Sequence, residues 1–338
     1  VTASLDVIVI GAGVLGLASA AELAARGHAV SVIDPGEANA SSVAAGMIAP
    51  AMESALDDLL PDVVAVLKAA RALWPDFARR HGLRLIEDGA EWRGPGAEEV
   101  ARRLRKAGFD AQIFADRVAT PRDARIEPRK ALARLASRTR VVTGRAVEAR
   151  RTPAGWSVVF KNGRIFSADR LVVATGVGPA LEGLPPEVAT LLDRIQPIRG
   201  QLAQVAGATL PRTVRTAAGY AVPSAKGIIV GASMEPGVRD LTPDPEAAAV
   251  QVRAVCDSAD LADGPIHVRV GVRGALPDGL PAAGVLDGVA VALAPRRNGW
   301  LLAPLVAGVV ADAVEGRPPG PWTAALAPDR PELSLPAD

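Results

Sequence analysis

An α/β fold is predicted by three features of the 338-residue sequence. A strand, a glycine turn, a helix and a second strand follow one another within its first 34 residues. A long apolar stretch near the C-terminus has the composition of one buried helix, and hairpin-like runs occupy much of the region between.

Leu5 to Ile10 is a short run of Leu, Val and Ile, followed by Gly11-Ala12-Gly13-Val14-Leu15-Gly16 and then by Leu17 to Arg26, rich in Ala and Leu. Gly27 closes that helix, Ala29 to Ile33 forms a second apolar run, and Asp34 stands at its end, eighteen residues beyond Gly16. Gly11 permits the sharp turn, Gly13 lets a pyrophosphate approach the backbone, and Gly16 lets helix and strand pack tightly. Asp34 is placed to accept hydrogen bonds from ribose hydroxyls. Strand, helix, second strand and acid in this order predict a Rossmann-like dinucleotide site, without separating NAD from FAD.

Ala40 to Pro50 contains Ser41, Ser42, Ala44, Ala45, Gly46 and Met47. Its small side chains allow a large flat ring to lie against the backbone, which favours a flavin; an NAD domain more often continues into a crossover helix. Val63, Leu67, Ala70, Trp74 and Phe77 recur at helical spacing and predict a packed helix. Val100, Leu104 and Ala107 alternate with Arg102, Arg103, Arg105 and Lys106, which reads as a helix with a solvated basic face.

Trp156 to Phe160 and Arg164 to Phe166 flank Asn162-Gly163, a hairpin signal. A second hairpin is expected from Tyr220 to Pro223 and Ile228 to Ala232, and Gln201 to Val205 alternates as a half-buried strand. Together they predict an antiparallel sheet that carries the substrate. Trp300 to Val314 is too short for a membrane span and is expected to be a buried helix, its N-terminus aiming a positive dipole end and free N–H groups at whatever lies in front of it.

The balance of 38 basic and 37 acidic side chains offers no field to draw nucleic acid or an anionic membrane. A single cysteine, Cys256, excludes an intrachain disulfide, and the three histidines lack zinc-site spacing, so no metal is expected. Without an export-type leader pattern, the expected location is the cytoplasm.

These residues resemble the D-amino acid oxidase superfamily of flavoproteins, and within it the glycine oxidase branch. Ser42 to Met47 is similar to that branch's flavin-contacting loop. Arg125-Ile126-Glu127-Pro128, Gly144-Arg145-Ala146-Val147, Leu171 to Gly176 and Pro197 to Gln201 resemble further family segments. The resemblance implies a Rossmann-like FAD-binding domain of the GR2/DAO type from residues 1–75, 125–195 and 285–330. It implies a discontinuous α+β substrate domain, built on an antiparallel sheet, from residues 76–124 and 196–284.

Motif and resemblance together assign FAD contacts to Gly11, Gly13, Val14, Leu15, Gly16 and Asp34, to Ser41, Ser42, Ala45, Gly46 and Met47, and to Val147, Thr175 and Gly176. Arg273, Arg297, Asn298, Gly299, Trp300 and Leu301 complete that set. Arg273 resembles the family's carboxylate-binding arginine, although Gly274 replaces the usual following proline. Tyr220 and Met47 match residues lining the substrate pocket. Arg297 matches a second active-site arginine, but Ala294-Pro295 stands where a Gly-His pair often precedes it, leaving open whether Arg296 or Arg297 faces the flavin.

The implied activity is oxidative deamination of a small amino acid or amine, of the glycine, D-amino acid or sarcosine type. Hydride would pass to flavin N5, and O2 would reoxidise the flavin to give H2O2. FAD is expected without a covalent bond, because Ser41 to Pro50 has no histidine and Cys256 lies well before Arg273. The alternatives are an amino acid dehydrogenase delivering electrons to a quinone or carrier, and a nicotinamide-dependent dehydrogenase or nucleotide-binding regulator. A homo-oligomer is compatible with the sequence.

Overall fold

The computed structural model describes residues 4–56, 59–179, 181–262 and 264–331. The strand Asp6–Ile10 lies inside a six-stranded sheet, paired in parallel with Ala29–Asp34 on one side and Arg170–Val173 on the other. With helices on one face and other elements on the opposite face, its Val7, Ile8, Val9 and Ile10 are all buried, as a continuous apolar run in a parallel sheet requires. Arg140–Thr143 forms one edge, and the antiparallel pair Val289–Leu293 and Ala282–Leu286 forms the other.

The helix Val14–Ala25 packs against Gly299–Val314, which packs in turn against Pro61–His81. The C-terminal helix is apolar on nearly every side because it is enclosed by these two helices and the sheet. Val63, Leu67, Ala70, Trp74 and Phe77 are buried along one stripe of the long helix, and Trp74 Nε1 donates to the Leu301 carbonyl at 3.0 Å. No helix among the described residues is long and apolar enough to cross a membrane.

The first predicted hairpin belongs to a three-stranded antiparallel meander of Ala146–Thr152, Gly155–Phe160 and Ile165–Ala168. It covers the other face of the six-stranded sheet, with Trp156, Val158 and Phe160 packed among Ile8, Ile10, Ile33 and Leu171.

A second, larger sheet contains Gln196–Val205, Ile266–Ala275, Gly227–Gly231, Gly219–Ser224 and Thr213–Thr216, joined by Ala90–Arg93 and Arg117–Thr120. It is mixed rather than purely antiparallel, because Thr213–Thr216 runs parallel to Ala90–Arg93. The predicted half-buried strand at Gln201 is also corrected. Gln201, Leu202, Ala203 and Val205 are all buried, since this strand pairs on both sides and the helix Pro245–Ala259 covers one face. The buried Gln201 amide is satisfied by the backbone of Asp244, donating to its carbonyl at 3.1 Å and accepting from its N–H at 3.0 Å.

Candidate active site

A cavity of about 690 Å³ runs between the two sheets, within the range of small-molecule and cofactor pockets. At one end is the glycine turn. Gly11 has φ +112°, and a Cβ there would stand 2.3 Å from the Ala174 carbonyl oxygen. A Cβ on Gly16 would stand 2.1 Å from the Gly11 carbonyl oxygen, so Gly16 lies beneath the cavity and serves the close packing of helix on turn. Gly13 is the N-cap of the helix and meets nothing closer than Ser41 Oγ at 3.5 Å, which leaves its backbone open to a ligand.

Asp34 lines this end and joins its two walls. Oδ2 accepts from Ala12 N at 2.7 Å and Oδ1 from Gly36 N at 2.8 Å. Each oxygen has a second lone pair, so the carboxylate can still accept from a ribose diol.

The serine loop closes over the turn through polar contacts that its composition did not announce. Ser41 Oγ accepts from Val14 N at 2.9 Å, and the Ser41 carbonyl accepts from Trp300 Nε1 at 3.1 Å. One short segment thus ties the first helix to the last. Ser42 is turned to a reciprocal capping pair with Asn39 and does not line the cavity. Gly46 has φ +81°, and a Cβ there would meet the Ile126 carbonyl oxygen at 2.2 Å. That close approach aligns Met47 with Arg125 in a short antiparallel pairing and leaves the Met47 side chain at the cavity.

Of the predicted cofactor residues, Gly11, Gly13, Val14, Leu15, Asp34 and Ser41 line the cavity, as do Ala45, Gly46, Met47, Thr175 and Gly176. Arg273, Arg297, Asn298, Gly299 and Trp300 line it too. Val147 and Leu301 do not. At the first of these strands the wall is made by Gly144, Arg145 and Ala146, while the Val147 carbonyl accepts from Glu182 N. Leu301 is turned into the helix core beside Trp74.

Arg273, Tyr220, Arg297 and Met47 meet at the other end. The sheet register explains the first two. Gly231 pairs with both Leu202 and Tyr220, so these residues share one face, and Arg273 shares it because Arg269, four residues earlier, pairs with Leu202. Two glycines make room there: a Cβ on Gly231 would lie 2.8 Å from the Tyr220 hydroxyl, and one on Gly200 would lie 1.9 Å from Arg273 Nη2. Arg273 Nη2 donates to the Ser233 carbonyl at 2.8 Å, which steadies the guanidinium.

Two residues that the sequence did not single out complete this end. Glu53, on the helix Pro50–Leu56, pairs with Arg297 through Nε and with Arg215 Nη1 at 3.4 Å. Burial alone would raise the Glu53 carboxyl, but the charges of Arg297 and Arg215 outweigh it and hold it below the usual range. Burial raises the Tyr220 phenol above its ordinary value, so it remains a hydrogen-bond donor at neutral pH. Arg296 and Arg297 both line the cavity, and it is Arg297 that the Glu53 carboxylate holds directly. A carboxylate in the apolar run Ala49 to Ala55 was itself a signal, since a buried charge requires a partner.

A family model described as FAD dependent oxidoreductase (DAO) matches residues 6–313. The chain belongs to this family. The DAO match spans both sheets and therefore both ends of the cavity. Glycine oxidase from Pseudomonas aeruginosa is 28% identical over 366 residues, covering 93% of this chain and 95% of that protein. The crystal structure of glycine oxidase from Geobacillus kaustophilus superposes with a TM-score of 0.81 at 25% identity, covering 98% of this chain and all of the other. The tRNA 5-methylaminomethyl-2-thiouridine biosynthesis bifunctional protein MnmC of Caulobacter sp. (strain K31) is 26% identical; the alignment covers 95% of this chain but 57% of that longer protein.

The chain is thus a DAO-family, FAD-dependent oxidoreductase, and its cavity fits the cofactor. Gly13 provides the open backbone at a helix N-terminus for a pyrophosphate, Asp34 the acceptor for a ribose, and Ala45, Gly46 and the start of the C-terminal helix a low wall for a flat ring.

Proposed function

We propose that this protein oxidises the Cα–N bond of a small amino acid or amine with non-covalently held FAD, and that O2 is the final acceptor, yielding H2O2. The observation that carries this reading is the convergence of Arg273, Tyr220 and Met47 at one end of a cavity whose other end has the Gly13 and Asp34 arrangement. The similarity to the two glycine oxidases supports the same reaction class.

Arg273 binds the substrate carboxylate through the N–H groups not engaged by Ser233, and its planar guanidinium fixes the carboxylate's orientation. Tyr220 donates from the same sheet face, and Met47 bounds the pocket and excludes water. Arg273 and Arg297 bring positive charge to the amine, which disfavours its ammonium form and leaves the nitrogen lone pair available. Glu53 remains ionised between two arginines, so its role is to hold them rather than to exchange a proton. Bound FAD supplies the two-electron acceptor. The substrate's C–N bond becomes C=N with loss of two electrons and two protons. Water then adds to the imine and gives a 2-oxo acid and ammonia, or an aldehyde and an amine if the nitrogen was substituted.

In this reading residues 1–75, 125–195 and 285–330 form the cofactor part and residues 76–124 and 196–284 the substrate part. In support, the larger sheet is drawn wholly from the second set. The strand Ala282–Leu286 and the helix Pro61–His81 run across two of the boundaries. Neither a cysteine nor a histidine lines the cavity among the described residues, which agrees with a non-covalent cofactor. We also propose that the enzyme works in the cytoplasm.

The test is anaerobic addition of glycine, sarcosine and both enantiomers of alanine and proline to the yellow protein, followed by air. Bleaching, then recovery with stoichiometric peroxide, is expected. Bleaching without peroxide would make it a dehydrogenase serving another acceptor, and a colourless protein would remove the flavin reading.

A further inference from the structure

Arg215, Arg273, Arg296 and Arg297 bring four guanidiniums to the substrate end of the cavity, while the Glu53 carboxylate pairs with two of them. A substrate with one carboxylate neutralises part of this excess. Arg215 has the least to do. Its residue is 7% exposed, its contact with Glu53 is long at 3.4 Å, and its buried Nε has no acceptor among the described residues. Buried polar N–H groups are ordinarily satisfied, and those of a cation most of all.

Among the described residues, Arg199 and the Arg330 side chain meet that expectation, whereas Arg269 Nε shares the lack of a partner. Arg199, in the same sheet, gives Nε to the Asp240 carbonyl at 3.0 Å, Nη1 to Glu235 at 2.5 Å and Nη2 to the Thr242 carbonyl. Arg330 spends its nitrogens on Asp278 and on the carbonyls of Leu280, Pro281 and Ala327. These two arginines tie loops together. Among the described residues Arg215 hydrogen-bonds only Glu53, and it faces the cavity.

Its place on the sheet gives it a partner at a distance. Arg215 pairs across the hairpin with Tyr220, and Tyr220 with Gly231, so Arg215 and Tyr220 stand on the face that carries Arg273. The strands of Arg215 and Arg273 are four spacings apart, roughly 19 Å between backbones at about 4.8 Å per strand. Both side chains lean inward across that gap. The Arg273 guanidinium lies over Gly200 on the next strand, and the Arg215 guanidinium carbon lies 5.5 Å from the Tyr220 ring centroid. Two cations separated by a tyrosine do not make one carboxylate clamp; they make two.

We propose that Arg215 is a second anion anchor and that the preferred substrate is an amino acid bearing two carboxylates. Arg273 holds the carboxylate beside the reacting carbon, and Arg215 holds the distal one. The inference rests on the amine-oxidising reading above and adds the substrate class to it. The distal carboxylate has two sources, a carbon side chain as in aspartate and glutamate, or the nitrogen substituent as in iminodiacetate.

The experiment measures kcat/KM of the holoenzyme for both enantiomers of aspartate and glutamate, for iminodiacetate, and for glycine, sarcosine and alanine. At least one dicarboxylate is expected to exceed every monocarboxylate by tenfold or more, and which one identifies the source. Arg215→Gln is expected to lower that dicarboxylate's kcat/KM by about 100-fold and the monocarboxylates' by less than about fivefold, with Arg215→Lys recovering part of the loss. Equal losses on both classes would make Arg215 a support for Glu53 and overturn the proposal, as would a preference for monocarboxylates in the unaltered enzyme. Calorimetry with succinate and acetate reads the anchor without turnover: succinate is expected to bind more tightly, and only in proteins that keep Arg215. Succinate binding that depends on Arg215, with no amine oxidised, would uphold the anchor and sink the amine reading. Turnover together with equal succinate and acetate affinity would do the opposite.

Discussion

Arg297 donates from Nε to Glu53, joining the helix that follows the serine loop to the segment preceding the C-terminal helix, 244 residues away. Glu53 is buried, and Arg215 meets its other oxygen, so one carboxylate sets the position of two guanidiniums at the substrate end. Replacing it with glutamine keeps the shape and removes the charge. Glu53→Gln is predicted to lower kcat/KM by roughly 10- to 100-fold and stability by about 2–3 kcal/mol, because the group that both arginines contact loses its charge. Steady-state kinetics and urea unfolding check both numbers, and parental values in each would show that the arginines hold themselves in place.

Arg273 is supported by the Ser233 carbonyl and by the space over Gly200, which in the proposed function sets its guanidinium for a carboxylate. Arg273→Leu is expected to reduce kcat/KM by about 1000-fold, chiefly through KM, whereas Arg273→Lys recovers only part because an ammonium lacks the two-pronged geometry. A loss confined to kcat would assign the residue to chemistry rather than binding.

The glycine turn tolerates no side chain on its packed side. A Cβ on Gly16 would lie 2.1 Å from the Gly11 carbonyl oxygen and 3.1 Å from Ala174 Cβ. Gly16→Val must displace the turn on which the pyrophosphate would rest, so the purified variant is predicted to carry a small fraction of the flavin absorbance per protein. Full flavin content would show that the turn can yield.

Asp123 sits at the N-terminus of the helix that carries Glu53. It accepts from Ala51 N and Met52 N, each at 3.2 Å, and from the Thr120 hydroxyl at 2.8 Å. Burial pushes its carboxyl up to about 7, and these three donors do not offset it. The folded state therefore holds the proton more tightly than the unfolded chain. That stabilisation is complete below the ordinary value of 3.8 and is lost as pH rises through about 7. Asp123→Asn, which cannot ionise, is expected to flatten the decline in stability between pH 4 and 7, read from unfolding midpoints at a series of pH values. An unchanged slope would place the titration elsewhere.

The buried carboxylate Glu22 acts in the opposite sense. Burial would raise it, but hydrogen bonds from His81, Arg80 and Arg26 bring it down to about 2. Its contribution is present above 4.5 and disappears as pH falls toward 2. Glu22→Gln is predicted to remove part of the acid-induced loss in that window and to cost on the order of 2–3 kcal/mol at neutral pH. Equal acid sensitivity of the two proteins would count against it.

Much of the fold could be read in advance because its signals are local. The run from Val7 to Ile10, Gly11 and Gly16 at the turn, the helical stripe through Trp74, and the turn at Asn162-Gly163 each depend on neighbours a few residues away. Arg215 was legible only in principle. Extending the hairpin back from Tyr220 through Ala217-Ala218 would have placed it opposite that tyrosine, but Thr213 to Thr216 is too short a strand to declare itself. Val147 and Leu301 show the reverse difficulty: each lies in a segment that reaches the cavity, yet backbone pairing or helix rotation turns that residue elsewhere.

By itself the chain's order of residues determined the dinucleotide turn, its acid at Asp34, the buried C-terminal helix and the presence of Arg273, since periodicity and glycine geometry act within a few bonds. Only the tertiary structure decided that Glu53, Arg215, Arg273 and Arg297 share one end of a cavity. Sheet register and helix packing bring distant segments together, and a buried charge is satisfied in space by whichever partner they deliver.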